Sequence, residues 1–245
     1  MQIFGKYETN FDRDYLTEHY IYFNAPDETI TTQEFEAMLK KKRKTVAGTF
    51  ILFHPQTSPK GYTLCNFLQE QGFEDYGKFI TLNEDAMSYV INAALKHQYE
   101  GKLVAIKYLF NYNREDFTQK LPILDEIEAD IEKLKSSQLT RHDKHLNYQD
   151  IPNIAINGKF VFLGMGHKFE REHTMIPYYA ISLVQQIQKL GKEIVFIYDR
   201  NFDEDEALKI AYFLSPLMQG KYKEKMAQAL KEVFSTTPPK RVRVS

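Results

Sequence analysis

The sequence contains almost nothing that would suit an oxidising compartment or a membrane. Cys65 is the only cysteine among 245 residues, so an intramolecular disulfide and a zinc site built from several cysteines are both excluded. The first ten residues lack the basic start and apolar core of a secretion signal. Uninterrupted apolar runs reach only about five residues, whereas a membrane-spanning helix needs roughly 20. We therefore expect a cytoplasmic location with no membrane span.

The chain also lacks an excess of charge of either sign. It has 32 basic and 33 acidic residues, so no overall attraction draws it to nucleic acid or anionic lipid. The one local exception is a run of five basic residues at the end of a predicted helix, where positive side chains stabilise the carbonyl end of the helix. We favour that interpretation over a nucleic-acid patch because no interleaved aromatic residue lies nearby, and nucleic acid stays an alternative partner. This basic run consists of Lys40, Lys41, Lys42, Arg43 and Lys44.

Several motifs that would define a function are missing. No G-x-x-x-x-G-K-[ST] occurs, which excludes a P-loop NTPase, and no G-x-S-x-G occurs, so the nucleophile-elbow hydrolases lack their signature. Gly164 and Gly166 begin a pattern like the dinucleotide fingerprint, but Phe169 occupies the position of its third glycine. The sequence therefore names neither a cofactor nor a reaction.

What the chain does contain is an alternation of short apolar runs and amphipathic segments. The clearest unit spans Lys159–Asp199, with predicted strands at Phe160–Leu163 and Ile194–Tyr198 and an amphipathic helix between them. Such alternation predicts an α/β fold with a mostly parallel sheet and helices on both faces, in a Rossmann-like three-layer arrangement. The pair Asn157-Gly158 between apolar residues predicts a short hairpin onto the strand that follows.

The same rules divide the rest of the chain. Thr31 with Glu34 fits a capping box at the start of a helix. We expect residues 1–245 to form a single α/β domain, with peripheral strands in 1–30 and an extended basic tail in 235–245. Further strands are predicted at Ala47–Phe53, Phe79–Leu82 and Leu103–Phe110.

Polar residues follow four of these predicted strands. In a parallel sheet the carboxyl ends of the strands lie along one edge, and ligands bind there where neighbouring connections diverge. We expect a catalytic role for His54 and a ligand contact for Asn111. We also expect the glycine-containing loop after Leu163 to admit a phosphate or sugar close to the backbone. The predicted catalytic residues are His167, Asp199 and His54, and the predicted ligand-binding residues are Gly164, Gly166, Asn111, Glu170, Arg171 and His173.

The spacing H-x-x-E-x-x-H formed by His167, Glu170 and His173 also suits metal-ligand chemistry. Residues three and six apart on a helix turn away from a common face, so we favour His167 as a general base and predict no metal site. Arg171 can contact an anion.

Three classes of function are compatible with these patterns. The first is an α/β protein that binds a phosphate- or sugar-bearing small molecule, such as a nucleotide-dependent transferase or hydrolase. The second is a non-catalytic subunit that docks a partner protein through aromatic residues. The third is a nucleic-acid-associated accessory factor that uses the basic run and the segment Lys240–Arg243.

Overall fold

The computed structural model describes residues 1–10, 13–40, 45–52, 77–84, 86–108, 129, 158–164, 185, 187–195, 197–199, 222–235 and 242–244. In chain order its elements are β1 (Gln2–Asn10), β2 (Arg13–Tyr22), α1 (Thr32–Lys40), β3 (Val46–Leu52), β4 (Phe79–Leu82), α2 (Ala86–Leu95), β5 (Leu103–Tyr108), β6 (Phe160–Gly164), β7 (Glu193–Val195), β8 (Ile197–Asp199), α3 (Tyr222–Ser235) and β9 (Val242–Val244). No helix among these residues is long and apolar enough to cross a membrane.

Seven of the nine described strands form a mixed sheet in the order β4-β1-β2-β5-β3-β6-β7. The pairs β5–β3, β3–β6 and β6–β7 are all parallel, so these four neighbours run in one direction. The expected parallel sheet is thus present in the core. All seven residues of β3 and all five of β6 are buried, as expected for parallel strands that are covered on both faces.

The other part of the sheet is antiparallel, which the prediction of a mostly parallel sheet missed. β2 pairs antiparallel with β5, β1 with β2, and β4 with β1. The first thirty residues were predicted to be peripheral, and they supply the second and third strands of this sheet. The reason is local, because β1 and β2 are consecutive and form a hairpin, a connection that only antiparallel strands allow.

The described helices lie on both faces of the sheet. On one face, Phe35 of α1 stacks on Phe4 with ring centroids 4.2 Å apart and meets Phe79 edge-to-face at 5.0 Å. On the other face, α2 and α3 pack against β3 and β6, where Phe234 lies 4.6 Å from Phe160 between ring centroids and Leu230 is fully buried. Burial of these aromatic rings stabilises the packing on both faces.

The predicted capping box at the start of α1 is confirmed. The backbone N–H and hydroxyl of Thr31 donate to Glu34 Oε2 at 2.8 and 2.9 Å, and the Glu34 N–H donates to Thr31 Oγ1 at 3.2 Å. The hydrogen bond from the Thr31 backbone is the main reason why the pKa of the Glu34 carboxyl is lowered. The reciprocal bonds satisfy donors that a helix start otherwise leaves unpaired.

Thr31→Ala should therefore destabilise the protein by about 1 kcal/mol, because it removes the side-chain acceptor at the helix start. Urea denaturation measures this difference. Thr32→Ala is the matched control, since it sits one position later and alanine is the better helix former there. Equal losses in the two variants would contradict a specific role for the cap.

The loop that joins β2 to α1 is held by a small hydrogen-bonded network. The Gln2 side-chain amide donates to the Ile30 carbonyl and accepts from the Ile30 N–H, both at 2.8 Å, and Asn24 Nδ2 donates to Gln2 Oε1 at 2.8 Å. The Tyr22 hydroxyl donates to Glu28 Oε1 at 3.0 Å. Burial, and then the hydrogen bond and negative charge of Glu28, raise the pKa of Tyr22 to about 12.

Stability at high pH should depend on this phenol. A phenol whose pKa rises on folding contributes stability that is complete below its ordinary pKa of 10.0 and is lost as the pH rises through about 12. We therefore expect the unfolding free energy of the wild type to fall relative to that of Tyr22→Phe over this interval. Denaturant titrations at a series of pH values measure the difference, and parallel curves for the two proteins would contradict it.

The predicted hairpin at Asn157-Gly158 has no free strand edge to pair with. β6 is bonded to β3 along Phe160–Gly164 on one side and to β7 along Phe160–Phe162 on the other, both in parallel. Asn157 and the expected partner strand lie outside the described residues. Gly158 itself has φ +95°, and the Lys159 N–H that follows donates to the Ala47 carbonyl at 2.9 Å. The glycine thus turns the chain into β6 beside the start of β3.

The second apolar run of the central unit divides between two sheets. β7 ends at Val195 in the large sheet, whereas β8 pairs in parallel with β9 in a two-stranded sheet. The tail predicted to be extended thus contributes β9. The pairing could not be foreseen from local pattern, because β8 and β9 are separated by more than forty residues of sequence.

Candidate functional site

Three parallel strands end level with one another at one edge of the sheet, which we call the carboxyl edge. Leu52, the last residue of β3, is in register with Tyr108, the last of β5, and with Gly164, the last of β6. Leu52 is 1% exposed, so the strand ends rest on a filled core. Chain segments that leave this edge start from fixed, adjacent positions.

The strands described next after β3 and after β6 lie on opposite sides of that pair. The next described strand after β3 is β4, which lies beyond β5 at the far side of the sheet, whereas the next after β6 is β7 on the other side. β3 and β6 are neighbours, so the change of side falls between them, at the Leu52–Gly164 pair. In open α/β sheets, such a point is where a crevice outside the carboxyl ends commonly binds ligands.

The structure places two of the predicted site residues. Gly164 is the buried last residue of β6 and lies at the carboxyl edge, in register with Leu52. Asp199 is the last residue of β8, in register with Val244 of β9, and so belongs to the two-stranded sheet. The other predicted site residues lie outside the described residues: His54, Asn111, Gly166, His167, Glu170, Arg171 and His173.

Of the basic run that was considered as a nucleic-acid contact, the structure describes only the first residue. Lys40 is exposed and forms the last residue of α1, where a positive charge favours the helix end. Lys41, Lys42, Arg43 and Lys44 lie outside the described residues. Within the described part of the chain, no group of three or more His, Cys, Asp or Glu residues has the proximity that would hold a metal ion.

A second feature of this edge was not predicted. β1 and β2 extend past the end of β5, and Tyr20 near the base of this extension donates from its hydroxyl to Glu18 Oε2 at 3.0 Å. Burial, followed by the charge of Glu18, raises the pKa of the Tyr20 phenol, and Lys107 Nζ lies 5.9 Å from the centre of the same ring. The available signal in the sequence was Asn10 and Asp12 between two β-forming stretches, since Asn and Asp are residue types that favour turns.

The described residues form a mixed α/β protein whose sheet is parallel in its core. Comparison with protein families, with curated proteins and with solved structures found no match. The function therefore has to be inferred from the geometry of the chain itself.

Proposed function

We propose that the chain is a Rossmann-like α/β protein that binds a phosphate- or sugar-bearing small molecule between the ends of β3 and β6. The observation that supports the proposal is that the strands described next after β3 and β6 lie on opposite sides of this pair, whose last residues Leu52 and Gly164 are in register. Burial of both strands on both faces supports the three-layer part of the proposal.

Glycine at the end of β6 suits close approach of a ligand. Gly164 has no side chain, so a phosphate or sugar can reach the backbone there, and Gly166 repeats the opportunity two residues later. An amphipathic helix is predicted beyond this loop, and the N–H groups at a helix start favour a negatively charged group. We place the phosphate of the ligand on this side of the crevice.

Histidines follow both strands that border the crevice. His54 is two residues beyond Leu52 and His167 is three beyond Gly164, so a trans chain confines their Cα atoms to within roughly 8 and 11 Å of those residues. Histidine gains or loses its proton near neutral pH, which suits a general acid or base. In this proposal His167 is the base of a nucleotide-dependent transferase or hydrolase, with His54 and Asp199 as further polar groups.

Four of the remaining residues have supporting roles in the proposal. Arg171 would contact an anionic group with its planar guanidinium, and Glu170 and His173 would hydrogen-bond polar groups of the ligand. Asn111 follows β5, whose last residue is in register with Leu52. Its amide can both donate and accept hydrogen bonds, which suits a sugar or a base.

A ligand-induced rise in melting temperature tests this function. At about 100 times its Kd, a ligand adds about 2.7 kcal/mol, which corresponds to roughly 5–10 °C for a chain of this size. We expect one or more members of a panel of nucleotides and sugar nucleotides to produce such a rise. His167→Ala and His54→Ala should each remove most of it.

His97→Ala is the matched control. His97 is exposed and lies between α2 and the amino end of β5, at the opposite edge of the sheet. Its replacement should leave the ligand-induced rise unchanged. A panel that leaves the wild type unshifted would contradict the proposed function, and so would an equal loss of the rise in all three variants.

A further inference from the structure

The edge at which the parallel strands begin, which we call the amino edge, carries a row of lysines. Three of these four strands are entered through the same dipeptide, a glycine at positive φ followed by a lysine directly before the strand. Because parallel strands begin at the same edge, these three lysines lie along it. The dipeptides are Gly101-Lys102 before β5, Gly158-Lys159 before β6 and Gly191-Lys192 before β7.

The start of the fourth strand, β3, brings the end of α1 to the same row. Thr45, directly before β3, donates from its hydroxyl to the Met38 carbonyl at 3.1 Å, and its own carbonyl accepts from the Leu103 N–H at 2.8 Å. The last turn of α1, which ends at the exposed Lys40, therefore lies beside the start of β3. The four residues that join Lys40 to Thr45 are all basic in the sequence. The basic run that looks isolated in the sequence thus starts beside this row.

Hydrogen bonds hold two of these lysines close together. The Lys159 N–H donates to the Ala47 carbonyl at 2.9 Å, which fixes the start of β6 against β3. Lys192 Nζ donates to the Gly158 carbonyl at 2.9 Å, so its ammonium group lies beside the residue that precedes Lys159. Lys189 precedes Lys192 by three residues and is exposed. We use the name basic rim for five residues of this edge: Lys40, Lys102, Lys159, Lys189 and Lys192.

The basic rim concentrates positive charge that is open to solvent. Four of its lysines are exposed, and Lys192 is partly buried. Neighbouring strands are about 5 Å apart, which is less than the Debye length of about 8 Å at physiological salt. Charges at the starts of adjacent strands therefore reinforce one another and favour a partner with several negative charges.

Carboxylates limit the basic rim mainly at its β2 end. Asp27 and Glu28 follow β2, and Glu100 is two residues before Lys102. One further carboxylate, Glu193, begins β7. β2 lies beyond β5 in the sheet, away from β3 and β6. The positive charge is therefore concentrated over the starts of β3 and β6, which lie between these acidic groups.

The shape of the basic rim fits a linear polyanion. It follows the starts of four adjacent strands, which span roughly 15 Å at three strand spacings. A nucleic-acid strand carries a phosphate about every 3.4 Å along its axis, so about four phosphates face this length. A membrane surface would call for several apolar side chains, and Leu190, 51% exposed, is the only large one exposed at this edge among the described residues. A single exposed leucine is ordinary at a protein surface.

We propose that the basic rim binds the phosphate backbone of a nucleic-acid strand, without reading its base sequence. Lysine ammonium groups contact phosphate oxygens, and each contact releases a condensed counterion. In the described part of the amino edge no exposed aromatic side chain is available to stack on bases. A mononucleotide meets only one or two of the lysines, so it binds the rim far more weakly than a polymer does. The small-molecule site is proposed at the opposite edge, so the two proposals can fail separately.

Salt-dependent binding of a labelled oligothymidylate of about 16 nucleotides tests the proposal. Fluorescence anisotropy with the full chain measures the dissociation constant at a series of KCl concentrations. Each phosphate contact on a single strand contributes about 0.7 to the slope of log affinity against log salt, so five contacts give a slope between about −3 and −4. We therefore expect the affinity to fall roughly 100-fold between about 50 and 200 mM salt.

Lys159→Gln should weaken binding about threefold or more and reduce the size of the slope by about 0.7. Lys78→Gln is the matched control. Lys78 is exposed and follows Gly77, with φ +76°, in the same kind of dipeptide, but the strand that it precedes, β4, begins at the carboxyl edge. It removes the same charge from the protein and should leave affinity and slope unchanged.

A triple variant enlarges the expected effect. Lys102→Gln, Lys159→Gln and Lys189→Gln together should weaken binding more than about tenfold, because three phosphate contacts are lost. Substitutions at exposed positions of this kind leave the fold intact, which an unchanged melting temperature verifies.

Three results would overturn the proposal. The first is no detectable binding of the oligothymidylate at about 50 mM salt, where electrostatic contacts are strong. The second is an equal weakening of binding by Lys159→Gln and Lys78→Gln. The third comes from co-sedimentation with vesicles of phosphatidylglycerol and phosphatidylcholine. If the protein binds these vesicles but not the oligothymidylate, the partner of the basic rim is an anionic membrane and not a nucleic acid.

Discussion

Gly158→Ala is expected to destabilise the protein by more than about 3 kcal/mol and to lower its melting temperature by roughly 10 °C. Gly158 has φ +95°, a conformation that costs an alanine about 1–2 kcal/mol. An added Cβ would also collide with the carbonyl group of Ala47 and the backbone nitrogen of Gly48. Backbone atoms of β3 cannot move aside without breaking the bond from the Lys159 N–H to Ala47.

Gly101→Ala separates the two contributions to this loss. Gly101 has a similar φ of +72°, but nothing lies within 4 Å of an added Cβ there. Its replacement should therefore cost only the conformational part, about 1–2 kcal/mol. Thermal and urea denaturation of both variants measure the difference. Equal losses at the two glycines would mean that β6 does not enter the sheet against Ala47.

Gly48→Ala should be the next most damaging change, at about 3 kcal/mol. The added Cβ would overlap the outer ring atoms of Phe160, which is 2% exposed. Phe160 cannot swing away, because Phe50, Tyr99 and Phe234 surround it with ring centroids at 6.0, 5.8 and 4.6 Å. Overpacking of a filled core typically costs about 1–3 kcal/mol, and the close confinement here places the cost at the upper end.

A second substitution should partly rescue this variant. Phe160→Leu shortens the side chain that the new methyl group meets, so the double variant should lose less stability than the sum of the two single variants. We expect a coupling of about 1 kcal/mol or more in a double-mutant cycle. Strict additivity would contradict direct contact between positions 48 and 160, and with it the β3–β6 register.

The strands of the parallel core were the part of the fold most accessible from sequence. β3, β5 and β6 are near-continuous apolar runs because both of their faces are buried, and β4 was predicted with its observed ends. β2 was predicted only in general terms, as one of the peripheral strands in 1–30. Its first half, Arg13–Thr17, contains two charged residues and a threonine and pairs with β1 alone among the described strands, so no continuous apolar run marks it.

The candidate site was predictable in part. A polar residue or a glycine directly after an apolar run can be recognised in the sequence. His54 and Gly164 were selected on that basis. The adjacency of β3 and β6 cannot be seen, because more than a hundred residues separate them and pairing depends on packing across the whole sheet. Asp199 illustrates the same limit of sequence-based prediction, because its strand β8 pairs with β9, which lies more than forty residues later in the sequence.

The location of the ligand is tested most directly by backbone amide chemical shifts of the isotopically labelled protein, titrated with ATP and with UDP-glucose. The account predicts that the largest changes occur at Leu52 and Gly164 and at the residues that immediately follow them in sequence. Amides at the opposite edge, such as Gly101 and Lys159, should be unaffected. Changes concentrated at that opposite edge, with Leu52 and Gly164 unmoved, would contradict it.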